Sequence, residues 1–236
     1  GQHASNDAAA RPAAGRPLTT SRGPPTAREA RATMAVMSSN VTLEIAATAA
    51  RLVVEEGMEY GPAKRQAVKQ LGLPSRAALP DNDQVEEAVI DYIELFCADT
   101  QPGELKALRE LAAVWMARLS EFRPHLTGAV WRGTATRLND IHLHLYCDDS
   151  KSAEITLIGK GVDYDVSSAP GPRGQPVDRL SLSVRCQALN DTIGLHLTIL
   201  DADDIRGALK PNARGQTDRG DLQALQDLLN RSQDRP

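Results

Sequence analysis

The stretch GAVWRGTATRLNDIHLHLY, residues 128–146, decides the fold of this chain. Gly128 and Gly133 bound a short segment that is typical of a turn, because glycine adopts backbone conformations that other residues avoid. From residue 140 polar and apolar residues alternate, which is the period of a half-buried β-strand. Alternate side chains of a strand share a face, so Asp140, His142 and His144 point to the same side. The stretch predicts a glycine-bounded turn that leads into a strand with a polar face.

The pattern before this stretch is helical. Apolar residues recur at spacings of three and four from Val41 to Phe122, and glycine, proline or acidic residues punctuate them. Asp83 and Glu86 have the spacing of a capping box at the start of one of these helices. We therefore predict a helical domain over residues 39–123.

The pattern after Pro124 changes to period two. Two of the strand-like segments flank the turn-favouring pair Asn190-Asp191 and predict an antiparallel hairpin. A short helix is expected near residues 152–161, and a closing amphipathic helix begins after Asp221. The predicted fold class is α+β, with a helical N-terminal half followed by a mixed sheet with flanking helices over residues 124–236.

Residues 1–38 differ in composition from the rest. They are rich in alanine, arginine, proline and glycine and poor in aliphatic side chains, which predicts a disordered tail. Residues 1–33 hold five arginines and two acidic residues, which gives a net charge of +3. Because the whole chain carries −4, the remainder carries −7. An acidic body does not indicate a nucleic-acid partner, which requires clustered basic side chains.

The bulk composition is that of a globular protein. The 236 residues are 41% hydrophobic, and no apolar run is long enough to cross a membrane. The three cysteines, Cys97, Cys147 and Cys186, are widely spaced and predict free thiols rather than a disulfide framework. We expect a cytoplasmic protein without a membrane partner.

The layout of residues 128–143 resembles the signature of the minimal nucleotidyltransferases of the DNA polymerase β superfamily. In that family a glycine–serine pair and a turn precede a strand that presents two carboxylates on one face. Here Gly128 and Ala129 fall on the pair, Arg132-Gly133 falls on the turn, and Asp140 and His142 fall on the two acids. The resemblance implies a nucleotidyltransferase-like domain over residues 124–236. The helices before it lie outside the resemblance.

The resemblance also implies roles for particular residues. Asp140 and His142 take the catalytic positions, and the nucleotide-binding positions are Gly128, Ala129, Arg132, Gly133 and Thr134. The family's reaction places negative charge on phosphoryl oxygens, which divalent cations neutralise, so Mg²⁺ or Mn²⁺ is the expected cofactor and a nucleoside triphosphate the expected partner.

The sequence departs from the family at the acids. Histidine stands at the second position, and neutral imidazole is a poor ligand for Mg²⁺. The third acid falls on His196 or Thr198, or on Ser183 of the preceding strand, none of which is acidic. The expected activity is therefore binding of a nucleotide or phosphorylated ligand, with nucleotidyl transfer weak, altered or lost.

Two alternatives stay open at this stage. In the first alternative, the protein is a non-catalytic interaction or regulatory module that docks a protein partner through its helical half. In the other alternative, Asp140, His142 and either His144 or His196 hold a transition metal such as Zn²⁺, since imidazoles and a carboxylate suit such ions.

Overall fold

We describe the fold from a computed structural model, in which residues 26–211 and 215–233 are described. The helices are α1 (Ala27–Glu56), α2 (Tyr60–Gln70), α3 (Asn82–Phe96), α4 (Gln101–Arg118), α5 (Gly128–Arg132), α6 (Ser152–Gly159) and α7 (Leu222–Gln233). The strands are β1 (His125–Thr127), β2 (Ile141–Cys147), β3 (Asp165–Pro170), β4 (Pro176–Cys186), β5 (Asp191–Asp201) and β6 (Arg219–Gly220). This order confirms the predicted α+β class, with helices first and a mixed sheet after them.

The described residues divide into two units, one that ends at Asn40 and one that begins at Val41. Helix α1 begins at Ala27, so the predicted disordered tail over residues 1–38 differs from the structure over its last part. Alanine, arginine and methionine are strong helix formers, and neither glycine nor proline occurs between Pro25 and Gly57. Residues 1–25 of the predicted tail lie outside the described residues.

The six strands form one sheet in the order β3-β4-β5-β2-β1-β6. Strands β2 and β5 are parallel, and the other neighbours are antiparallel. The predicted hairpin is present as β4 and β5, with Asn190 in the left-handed conformation at the turn. The parallel pair lies at the centre of the sheet.

The two faces of the sheet differ in polarity. One face carries buried aliphatic residues of β2, β4 and β5, which pack with α4, α6 and α7 into the larger core. A second core joins α1, α2 and α3. Helix α4 thus packs with the sheet, although the sequence assigned it to the helical domain over residues 39–123. The other face of the sheet carries the histidines of β2 and β5.

Local signals at the helix ends differ in accuracy. The capping box of α3 is formed by Asp81 and Gln84 rather than by the predicted Asp83 and Glu86. Both pairs have the same spacing, and α3 begins two residues earlier than the sequence indicated. Asp221 accepts a hydrogen bond from the backbone of Ala224 at 2.9 Å and caps α7 as predicted.

The three cysteines are free thiols, as predicted, and burial raises the pKa of Cys147 to about 11. Among the described residues, no helix combines the length and apolar character that crossing a membrane requires.

Trp131 ties α5 to the edge of the sheet. Its indole N–H donates to the carbonyl of Thr217 at 2.7 Å, and its ring lies over the backbone of Gly220 in β6. A Cβ atom added at Gly220 would lie 2.7 Å from Cζ2 of Trp131 and closer still to Cζ3 and Cη2 of the same ring. The contact therefore requires glycine at this position.

We expect Gly220→Ala to lower the free energy of unfolding by about 1 to 3 kcal/mol, because a rigid ring must move to admit the methyl group. The matched control is Gly103→Ala in α4, where an added Cβ meets open space and alanine favours the helix. Urea unfolding of both variants measures the difference. Equal stability of the two variants would contradict the packing described for Trp131.

Candidate functional site

A left-handed residue stands at each end of α5. Gly128 has φ +74° and Gly133 has φ +92°, both in a region that favours glycine. From Gly128 to Arg132 the structure has a five-residue helix where the sequence predicted a turn. A Cβ at Gly128 would make only an ordinary contact, 3.7 Å from Cδ2 of His142. Backbone conformation, rather than lack of space, explains the glycine.

Buried side chains of α4 hold α5 in place. Arg109 donates from Nε to the carbonyl of Val130 at 3.0 Å and from a terminal nitrogen to the carbonyl of Trp131 at 2.9 Å. Gln101 donates from Nε2 to the carbonyls of Gly133 and Ala135, at 3.0 and 2.8 Å. Carbonyls at a helix C-terminus need such partners, and a cation there also interacts favourably with the helix dipole. Burial lowers the pKa of Arg109.

A cavity of about 260 Å³ opens beside α5. One wall comes from the end of α1 and its connection to α2. The other comes from α5, the loop after it and the beginning of β2. The lining residues are Val53, Gly57, Met58, Glu59, Tyr60, Gly128, Ala129, Arg132, Thr134, Leu138, Asn139, Asp140 and His142. We refer to this cavity as the α5 pocket.

Two hydroxyl groups of the α5 pocket are buried without a hydrogen-bond partner in the described part of the chain. They are Oη of Tyr60 and Oγ1 of Thr134, and Thr134 is only 5% exposed. Burial raises the pKa of Tyr60, and the charge of Glu86 adds to the rise. The charge of Arg132 and the approach of the Arg132 and Thr134 side chains to the Tyr60 hydroxyl lower this pKa, although none of these contacts is within 3.5 Å in hydrogen-bonding geometry. Tyr60 is thus a neutral hydroxyl donor. A buried polar group without a hydrogen-bond partner lowers the stability of the fold, so its presence in a pocket indicates a functional role.

Arg132 provides the positive charge of the α5 pocket. Its Nε lies 2.7 Å from Oε1 of Glu86, and its guanidinium carbon lies 6.0 Å from the centre of the Tyr60 ring. Glu86 orients the guanidinium, and because the side chain is 34% exposed, part of the group is accessible to solvent. A guanidinium has five N–H donors, which leaves donors for a bound anion.

The parallel pairing of β2 with β5 brings the polar residues of the two strands together. His142 lies opposite His196, and their rings stack at 24° with centres 4.9 Å apart. Nε2 of His196 lies 2.9 Å from Oδ2 of Asp140, and the backbone N–H of Gly194 donates to Oδ1 at 3.1 Å. On its other side, Nδ1 of His196 lies 2.9 Å from Oγ of Ser181 in β4.

These contacts set the charges in the site. The hydrogen bond from His196 is the main reason that the pKa of Asp140 is lowered, so this carboxylate is ionised at neutral pH. The pKa of His142 is lowered to about 4, mainly by burial, with His196 and Arg179 contributing to the same shift. Burial and the charge of Arg219 lower the pKa of His144 to about 4. His142 and His144 are therefore neutral at pH 7.

The structure brings most of the predicted site residues to one place. The lining of the α5 pocket includes Gly128, Ala129, Arg132, Thr134, Asp140 and His142. Gly133 lies behind α5, with its carbonyl bonded to Gln101, and does not line the pocket. His196 is outside the lining but contacts Asp140 directly. His144 bonds to Arg219 at 3.1 Å and stays apart from Asp140.

Tyr60 and Ser181 were not predicted from the sequence. Tyr60 begins α2, and nothing in its local pattern indicates that it faces a strand some eighty residues later. Ser181 alternates with apolar neighbours like any half-exposed strand residue. Its only signal was the register of the hairpin, which places it opposite His196.

The donor set does not fit a centre for two Mg²⁺ ions. Asp140 is a single carboxylate, and the described residues contain no group of three His, Cys, Asp or Glu side chains arranged to hold a metal. Both nitrogens of His196 are already in hydrogen bonds, and stacked rings do not direct their nitrogens at one point. The geometry does not favour a resident transition metal on Asp140, His142 and His196.

Comparison of the chain with protein-family models, with curated proteins and with solved structures found no match.

The low pKa values of His142 and His144 predict loss of stability in acid. Below about pH 6.5 these histidines bind protons in the unfolded chain, but in the folded protein they do so only near pH 4. Unfolding therefore takes up protons in this window, and each histidine lowers the free energy of unfolding by up to about 1.4 kcal/mol per pH unit. The contribution of Asp140 is lost only below the ordinary carboxyl value of 3.8, outside this window.

Urea unfolding at several pH values between 4.5 and 7 measures this slope. We expect the double variant His142→Gln, His144→Gln to show a flatter dependence than the unmodified chain. An identical slope in both proteins would mean that the two imidazoles are accessible to protons in the fold.

Proposed function

We propose that this protein binds a nucleotide or another phosphorylated ligand in the α5 pocket, with nucleotidyl transfer weak, altered or lost. The observation that carries the proposal is the pair of buried hydroxyls, Tyr60 and Thr134, that lack partners beside Arg132. Two hydroxyl donors and a guanidinium match the oxygens of a phosphate group.

The other lining residues support a phosphorylated ligand. Gly128, the first residue of α5, has no side chain that would obstruct a ligand in the pocket. Ala129 has no hydroxyl, so Thr134 and Tyr60 supply the hydroxyl groups. Asp140 lies at the end of the pocket where β2 begins. A Mg²⁺ or Mn²⁺ ion that arrives on the phosphates would use this carboxylate as its protein ligand, since Mg²⁺ is often held by one carboxylate together with substrate phosphates.

The side chains present support the proposal that nucleotidyl transfer is weak, altered or lost. The expected reaction moves a nucleoside monophosphate to a hydroxyl or an amine, which requires stabilisation of charge on the phosphoryl oxygens. The site offers one carboxylate, already bonded to His196, and a neutral His142. Binding without efficient transfer is therefore the function that we propose, with Asp140 and His142 at the positions where catalysis would occur.

Removal of the buried hydroxyls should affect binding and stability in opposite directions. Thr134→Val and Tyr60→Phe keep the shapes of the side chains, so we expect each variant without ligand to be as stable as the unmodified chain or up to about 1 kcal/mol more stable. Each should weaken binding of ATP about tenfold or more, because a buried hydrogen bond to an anion is lost. Tyr164→Phe is the matched control, since its hydroxyl bonds Glu154 away from the pocket.

Calorimetry and thermal shift, each with Mg²⁺, with Mn²⁺ and with EDTA, measure these effects. ATP, ADP and pyrophosphate are the ligands, and adenosine is the control without phosphate. We expect the phosphorylated ligands to raise the melting temperature, adenosine to have no effect, and Asp140→Ala to remove the part that depends on the cation. Absence of a shift with every phosphorylated ligand would overturn the proposal.

The alternative function is a module that docks a protein partner through the helical half. One observation favours it: α3 exposes large apolar side chains toward its end, namely Ile90, Leu95 and Phe96. Leu95 and Phe96 are neighbours in the sequence, and large exposed apolar side chains are common at protein interfaces. This alternative requires no ligand in the α5 pocket and is the function that a negative binding experiment would favour.

A further inference from the structure

Three strands contribute side chains to one chain of hydrogen bonds on the polar face of the sheet. Oγ of Ser181 in β4 lies 2.9 Å from Nδ1 of His196 in β5. Nε2 of the same ring lies 2.9 Å from Oδ2 of Asp140, which immediately precedes β2. A hydroxyl, an imidazole and a carboxylate are thus connected in that order. This order is the arrangement that activates a serine nucleophile.

The contacts determine which nitrogen of His196 carries the proton. An ionised carboxylate only accepts, so Nε2 donates to Asp140 and carries the proton in the neutral ring. Nδ1 therefore has a free lone pair and accepts the hydroxyl proton of Ser181. The ring is held by the carboxylate at one edge and by the stacked His142 on one face. Asp140 in turn is held by the backbone N–H of Gly194.

The surroundings leave Ser181 reachable. It is half-buried, and the residue opposite it on β3, Asp165, is exposed. The next residue of β4 on the same face, Ser183, is exposed as well. Ser181 does not line the α5 pocket, so a molecule that meets its hydroxyl approaches across the sheet face.

A positive group lies on the same strand and face as Ser181. Arg179 is two residues before it, and alternate residues of a strand share a face. Its Nε is buried without a partner in the described ranges, and its charge is near enough to lower the pKa values of His142 and His144. Arg179 therefore supplies a positive charge on the same face as the Ser181 hydroxyl, which suits the negative charge that develops on an oxygen under attack.

We infer that Ser181 is an activated nucleophile and that this face of the sheet hydrolyses carboxylic esters. His196 is the general base, Asp140 is a positioning residue, and Arg179 stabilises the oxyanion. The inference uses Asp140 but does not depend on a ligand in the α5 pocket, so it goes beyond the proposed function.

The reaction has two balanced steps. Oγ of Ser181 bonds to the ester carbonyl carbon as its proton moves to Nδ1 of His196. The bond from that carbon to the alkoxide then breaks, and the alkoxide leaves as an alcohol with the proton from His196. In the second step water gives a proton to His196 and adds to the acyl-serine. The acid leaves, and the proton returns to Oγ.

The first experiment treats the full chain with a fluorophosphonate probe and locates the modified residue by peptide mass spectrometry. The serine oxygen displaces fluoride from phosphorus, and His196 takes the proton. We expect modification at Ser181, none of that peptide in Ser181→Ala, and a rate at least about a hundredfold lower in His196→Gln, since general bases contribute on that scale. Ser183→Ala is the matched control and should be modified at Ser181 at the unmodified rate.

Hydrolysis of a p-nitrophenyl ester by the same proteins tests turnover. We expect it to follow the labelling rates and to be lost in Ser181→Ala while the circular dichroism spectrum and melting temperature are kept. Gly194→Ala tests the positioning of Asp140, because an added Cβ would lie 2.6 Å from both carboxylate oxygens. In this variant the displaced, half-exposed carboxylate should lower kcat for ester hydrolysis and shift the pH profile of kcat, with little change in KM.

Ser181→Cys separates activation by His196 from a merely structural role. Beside an imidazole base the thiol should react with iodoacetamide at a rate whose pH profile has its midpoint below the ordinary thiol pKa of about 8.5. The added change His196→Gln should return the midpoint to the ordinary value. The inference is overturned if the probe leaves Ser181 unmodified, if His196→Gln labels as fast as the unmodified chain, or if the cysteine shows an ordinary midpoint.

Discussion

The parallel pairing of β2 with β5 is the contact on which the candidate site depends. It places His196 beside His142 and within hydrogen-bonding distance of Asp140, although more than fifty residues separate the two segments. Burial fixes which face each strand presents, because the alternate residues of both strands belong to the larger core. A slip of one residue would turn the apolar set to the polar face and is therefore excluded. The register that buries the core also assembles the polar face.

Helix α5 owes its position to a separate set of contacts. Arg109 and Gln101 are nearly buried side chains of α4 that donate only to backbone carbonyls at and after the end of α5. Removing either one would leave those carbonyls without partners, which costs more than the net value of the bonds themselves. The pocket is thus rigid on the α5 side, while its hydroxyls at Tyr60 and Thr134 lack partners. The rigid wall keeps the hydroxyl of Thr134 in place, whereas Tyr60 lies on the opposite wall.

The sequence was sufficient for most of the longer helices and strands and for their faces, but not for the partners between segments. Alternation from residue 140 predicted β2 and the common side of Asp140 and His142, since strand periodicity is local. The hairpin was predicted around Asn190-Asp191, but the turn spans residues 187–190, which places Ser181 opposite His196. Changing a hairpin register by an even number of residues keeps the face and changes the partner. Tyr60 could not be found this way, because tertiary packing alone brings the start of α2 to α5.

A single carboxylate serves both features of the site. Asp140 lines the α5 pocket and also holds the ring of His196, so it has two possible partners and one charge. If a phosphorylated ligand brought a cation to the pocket, as we propose, the cation would compete with His196 for the carboxylate, and weakening of that hydrogen bond would free the ring that faces Ser181. Coupling of this kind is reciprocal: whatever draws Asp140 toward the pocket weakens the positioning of His196, and an intact chain of hydrogen bonds weakens the binding of the cation. On these proposals the two sites would be alternatives in their use of Asp140, even though the fold places them side by side.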